Sequence, residues 1–76
     1  MASTIELDVR GLEPPEPMVR IVAALDALTA GGSVRVKIDR QPLPLYRMLE
    51  RNGYVYEERS GSDSLFEIII RLREDA

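Results

Sequence analysis

Leu7-Asp8-Val9-Arg10-Gly11-Leu12-Glu13-Pro14-Pro15-Glu16-Pro17 holds a strand end, a turn and a helix start in eleven residues. Ile5, Leu7 and Val9 alternate with Glu6, Asp8 and Arg10, the period of a half-buried strand. The loop 11–17 follows. Pro17 suits the first position of a helix, where its missing N–H costs nothing, and Glu16 lies at the positive end of the helix dipole.

Beyond that stretch, Met18, Ile21, Val22, Leu25 and Leu28 recur at helical spacing and predict one apolar stripe. Thr29-Ala30-Gly31-Gly32 closes the helix, since glycine adopts the left-handed conformation that helix ends favour. Residues 33–38 return to strand alternation, with Val34, Val36 and Ile38 inward and Arg35 and Lys37 outward. A proline-containing loop, 39–44, leads to a short helix near 44–52 whose inner face is Leu45, Met48 and Leu49, with Gly53 as its cap. Residues 54–59 and 65–73 read as strands joined by a polar hairpin loop, 60–64. Phe66, Ile68, Ile70 and Leu72 share one face of the last strand, and Tyr54 and Tyr56 fall in phase with an inward face.

The order β-α-β-α-β-β predicts an α+β two-layer sandwich, with both helices on one sheet face. The other face carries Glu6, Asp8, Arg10, Arg35, Lys37, Glu57, Arg59, Glu67, Arg71 and Arg73, with Val55 and Ile69 as its apolar members. One domain is expected over residues 1–76, ordered from about 4 to 73.

Composition removes several classes of function. There is no cysteine and no histidine, so thiolate chemistry, disulfides and the usual neutral-pH acid/base are absent. No metal or other cofactor is expected. Ten Lys+Arg against thirteen Asp+Glu give a net charge of −3, which argues against general nucleic-acid or anionic-membrane binding. No apolar run approaches the length of a membrane span, and no secretory leader is evident. A cytoplasmic protein is the expectation, monomeric or weakly dimeric.

The opening stretch resembles the Leu-Asp-x-x-Gly-Leu-x-Cys-Pro-x-Pro signature of the TusA/SirA sulfur carriers, with Pro14 where the sulfur-bearing cysteine stands. That fold is similar to the C-terminal domain of translation initiation factor three. The resemblance implies a mixed four-stranded sheet in the order 1-2-4-3, with strand 4 antiparallel to the others. The later segment with Pro42, Pro44, Leu45 and Tyr46 looks like cysteine-lacking relatives grouped as a bacterial domain of unknown function. Those relatives often carry His and Asp before the first proline of that segment; Arg40 and Gln41 stand here instead.

A sulfur carrier holds its thiolate at a helix N-terminus, where free N–H groups and the dipole lower the thiol pKa. Here Pro14, Pro15 and Pro17 remove three donors, and Glu13 and Glu16 add two negative charges. Persulfide carriage is excluded, and capture of an anion at this helix end is disfavoured. A rigid turn into the helix explains the same residues without any function.

Other candidates have similar competitors. Val19, Arg20, Ala23, Ala24, Asp26 and Ala27 form a charge-poor outer helix side, yet alanine is also the best helix former. Arg40, Arg47 and Arg51 suggest a basic strip, or a solvated surface. Tyr46, Tyr54 and Tyr56 invite comparison with base stacking, but the open sheet face lacks the aromatics that RNA-binding sheets use. Glu57 and Glu58 are adjacent on a strand and point to opposite faces. No catalytic set is complete.

The resulting expectation is a non-enzymatic protein-interaction module that has lost sulfur transfer. Its partner contacts are expected at Glu13, Pro14 and Glu16, then at Arg47 and Arg51. A small-ligand or accessory role in sulfur, metal or respiratory metabolism is the alternative, as the company some relatives keep with hemerythrin-like domains implies. RNA binding by the charged sheet face is the third reading.

Overall fold

The computed structural model describes residues 3–61 and 65–73. Strand β1 (Thr4–Asp8) is followed by α1 (Glu16–Asp26), β2 (Ser33–Ile38), α2 (Leu43–Arg51), β3 (Tyr54–Ser60) and β4 (Phe66–Leu72). The four strands form one sheet in the order β1-β2-β4-β3. β1 and β2 run parallel, from Thr4 opposite Ser33 to Asp8 opposite Lys37, and β4 is antiparallel to both β2 and β3. This is the α+β sandwich and the strand order expected above.

Alternation decides which strand face is buried. Val34, Val36 and Ile38 of β2 and Ile68 and Ile70 of β4 meet Ile21 and Leu25 of α1 and Leu45, Tyr46 and Leu49 of α2 in one core. Ile5, Leu7, Tyr54, Tyr56 and Phe66 close its margins. β2 and β4 are the inner strands and supply the deepest side chains, while β1 and β3 form the edges.

Both helices start on proline: Pro17 and Pro44 lie in the first turns, where no N–H is needed. α1 stops at Asp26, and the next N–H groups tighten onto the third residue back, Ala27 on Ala24 and Leu28 on Leu25, each at 3.1 Å. At the end of α2, Asn52 donates to the Met48 and Leu49 carbonyls, and Gly53 turns the chain with φ +82°.

The structure corrects the helix stripe. Val22, expected inside, is 39% exposed, whereas Ala24, expected outside, is half-buried against the core. The buried arc of α1 runs through Met18, Ile21, Ala24 and Leu25, so it keeps three of the expected helix residues and takes Ala24 in place of Val22. Leu28 packs from the loop after the helix. α2 begins and ends one residue earlier than expected, β3 extends to Ser60, and β4 is shorter by one residue at each end. The expected tip of the hairpin at 62–64 and the chain beyond 73 lie outside the described residues.

Candidate functional site

Because β1 and β2 are parallel, the loops that follow them leave the same end of the sheet. Crevices beyond the carboxyl ends of parallel strands are where α/β folds place their sites. Two bonds hold the loops together. The Val9 N–H donates to the Lys37 carbonyl at 3.0 Å, and the Gly11 N–H donates to Asp39 Oδ2 at 3.0 Å. Gly11 has φ +75°, a conformation that a side chain at this turn would strain.

Between these loops and the starts of α1 and α2 lies a cleft of about 290 Å³. Its floor is Ile21, Ile38 and Leu45, all buried. One wall is Leu12, Pro14, Pro15, Pro17 and Met18; the other is Asp39, Arg40, Gln41, Pro42 and Pro44. All five prolines of the chain line it. The peptide bond between Pro14 and Pro15 is cis. The nearby N–H groups that proline leaves are turned onto backbone: Glu16 donates to the Glu13 carbonyl at 2.9 Å and Val19 to Pro15 at 3.1 Å. On the other wall Leu43 donates to Gln41 at 3.1 Å and Tyr46 to Pro42 at 3.2 Å. The cleft therefore offers mainly ring and aliphatic carbon, with polar groups at one rim.

The second wall is braced from behind. Gln41 Nε2 donates to Glu58 Oε1 at 2.9 Å, and the Tyr46 hydroxyl donates to the same oxygen at 2.5 Å. Burial, then the Glu58 carboxylate, pushes the Tyr46 hydroxyl well above its usual pKa. The bonds from Tyr46 and Gln41 hold the Glu58 carboxyl below the usual range. Tyr46 stacks on Tyr56, with ring centres 4.3 Å apart and planes within 8°. The Tyr56 hydroxyl in turn donates to Glu50 Oε2 at 3.2 Å. A phenol whose pKa is raised keeps its proton at neutral pH and stays a donor, so Tyr46 and Gln41 together tie the loop to Glu58.

The structure distributes the expected contact residues as follows. Pro14 lines the cleft. Glu13 and Glu16 are exposed and lie outside its lining; Glu16 Oε2 accepts from Arg20 Nε at 3.2 Å along the helix. Arg47 and Arg51 share a shallow hollow on the outer side of α2 with Leu43, Pro44, Met48 and Asn52. Arg40, grouped with them in sequence, lines the cleft instead, and Pro44 belongs to both surfaces. Sequence reasoning missed Gln41 and Glu58 as the brace, and it left Tyr46 off the inner face of α2. Tyr46 is 8% exposed and belongs to the core.

The open sheet face is a lattice of charge. In one row across the strands stand Asp8, Lys37, Glu67 and Arg59, and in the next Glu6, Arg35, Ile69 and Glu57. Arg10 holds Asp8 through Nε at 2.8 Å and Nη2 at 2.6 Å, which keeps the Asp8 carboxyl down at about 2. Arg59 Nε donates to Glu57 at 2.8 Å and lowers that carboxyl as well. Among the described residues no cluster of His, Cys, Asp and Glu could hold a metal ion. Nor is any helix among them long and apolar enough to cross a membrane.

The sheet order, the two helices on one face and the loop pair at its end define a SirA-like α+β protein. The structure is similar to the crystal structure of a SirA-like protein from Desulfitobacterium hafniense. The TM-score is 0.74 and the identity 31%, over 95% of this chain and 99% of that one. The chain belongs to the family described as an uncharacterized conserved protein (DUF2249), whose sequence profile matches residues 6–71. No curated protein matches the chain at a significant level.

Proposed function

We propose that this protein is a non-catalytic interaction module whose cleft receives an apolar side chain of a protein partner. The observation that carries this reading is Pro14, which occupies the motif position of a sulfur carrier's cysteine and forms a wall of an apolar cleft. Carriage of sulfur needs a thiolate and the donors that stabilise it. Here the wall offers a pyrrolidine ring, and its neighbours Pro15 and Pro17 offer no N–H either. What survives is shape: a rigid, concave, mostly carbon surface beside polar groups. Such a surface suits the anchor residue of an interface, where a fully desolvated apolar pocket carries most of the binding energy.

A photo-reactive amino acid placed at Pro14 in the living host tests the reading, with the same residue at Val55 on the open sheet face as control. A discrete protein adduct at Pro14 and none at Val55 is expected. Adducts from Val55 with none from Pro14 would refute docking at the cleft.

The buried floor of the cleft favours a second reading, in which a small apolar ligand occupies the same space. At about 290 Å³ the cleft falls at the lower end of the sizes that hold small molecules. A ligand screen by thermal shift separates the two, because saturating ligand raises the melting temperature without any protein partner.

A further inference from the structure

The arginines of the structure fall into two groups. Arg10 is paired with Asp8, Arg20 with Glu16, Arg35 with Glu67 and Arg59 with Glu57, at separations from 2.6 to 3.9 Å. Arg71 acts on Glu57, and Arg73 has a partner of its own. Arg40, Arg47 and Arg51 have neither an ionic nor a hydrogen-bonded partner among the described residues. All three are exposed, and all three lie on the loop and helix that form one side of the cleft.

They border one continuous surface. Arg40 stands on the cleft wall, Pro44 links the cleft to the hollow on α2, and Arg47 and Arg51 line that hollow one helical turn apart. Leu43 and Met48 supply apolar area between them, Leu43 being among the most exposed large apolar residues of the protein. The carboxylates nearest in sequence are turned elsewhere. Asp39 accepts the Gly11 N–H, and Glu50 accepts the Tyr56 hydroxyl. A strip of three cations without a partner among the described residues thus stands on a chain whose net charge is −3.

Resting on the docking reading above, we infer that this strip binds an acidic segment of a partner protein. An apolar side chain of that segment fills the cleft, and the carboxylates that follow it pair with the arginines. The spacing suits an extended peptide. Arg47 and Arg51 are about 6 Å apart along the helix axis, and an extended chain advances about 3.3 Å per residue. Acidic residues two positions apart therefore meet Arg47 and Arg51 in turn. Nucleic acid fits less well, because the strip offers no aromatic surface for a base to stack on.

Selection of random short peptides on the wild-type protein and on the R40Q/R47Q/R51Q variant tests the inference, with circular dichroism to confirm that the variant folds. Wild-type selection should recover peptides with a large apolar residue followed at alternate positions by Asp or Glu. The best of these should bind the variant roughly tenfold more weakly, and raised salt should weaken its binding to wild type. Its amide shift changes should centre on Leu12, Met18, Gln41 and Arg47. Peptides that shift those amides but carry no acidic excess, and bind the variant equally well, would overturn the acidic partner and leave docking at the cleft standing. Peptides whose shifts lie only on the open sheet face would overturn both. Tighter binding of a single-stranded oligonucleotide than of any peptide, or self-association through these arginines, would also overturn the inference.

Discussion

Tyr46→Phe removes one oxygen from the brace behind the cleft and leaves the ring in place. The bond it deletes is a phenol donating to a carboxylate at 2.5 Å, in the range of short charge-assisted bonds. Bonds to charged groups contribute about 1.5–3 kcal/mol. Glu58 is exposed and water can take the place of the phenol, so the bond is worth no more than an ordinary neutral one: a loss of about 1 kcal/mol. The stack on Tyr56 survives, because phenylalanine keeps the same ring. In a domain of this size that loss lowers the melting temperature by about 4–8 °C. The effect carries a pH signature. The folded-state pKa of Glu58 lies below its unfolded value, so the stability from its bonds is full above that value and is lost as pH falls through the folded pKa. Urea unfolding followed by circular dichroism should show a gap between wild type and Tyr46→Phe that is widest at neutral pH and closes as the pH falls below the ordinary glutamate range. A gap as wide in acid as at neutrality would refute the reasoning, because the hydroxyl would then be serving some partner other than a carboxylate.

Arg10→Gln should raise the Asp8 carboxyl from about 2 toward the ordinary aspartate value, as followed by carbon-13 titration. In the wild type the stability from Asp8 is full above that ordinary value and disappears as pH falls toward 2, so the variant should lose its acid resistance at a higher pH. Leu45, with no exposed surface, should cost about 2–5 kcal/mol when cut to alanine, enough to remove much of the stability of so small a domain. Val22→Ala, on the exposed flank of α1, should stay within about 0.5 kcal/mol by the same denaturation assay, and equal losses at the two positions would contradict the assigned core. Gly53→Ala meets open space but must hold φ near +82°, so it should cost about 1 kcal/mol by strain alone.

The strands and helices were legible because alternation and helical spacing are strong in this chain, and Gly53 marks the end of α2; α1 stops at Asp26, short of the glycines at 31 and 32 that were expected to close it. The rotation of α1 was not legible. Alanine gives almost no hydrophobic signal, so Ala24 could not compete on paper with Val22, although a flat sheet admits only a narrow arc of the helix. Pro14 could be picked out from its motif, but its neighbours across the cleft could not. Arg40 and Gln41 lie far along the chain and reach Pro14 only because β1 and β2 run parallel and release their loops together. The brace through Glu58 left one sequence signal, a carboxylate in phase with Tyr54 and Tyr56, but nothing in the sequence named its partners. Its residue sits where alternation turns inward, yet it reaches out to the rim to meet Tyr46.

The position of β4 governs how this chain can be made. A strand from late in the sequence is wedged between β2 and β3, so a nascent chain that has exposed everything through Ser60 still has a split half-sheet with its greasy interior uncovered. Until Phe66–Leu72 clears the ribosome there is no seam along which the two parts can join. Folding during synthesis must wait for that strand, and pairing between such distant segments is intrinsically slow.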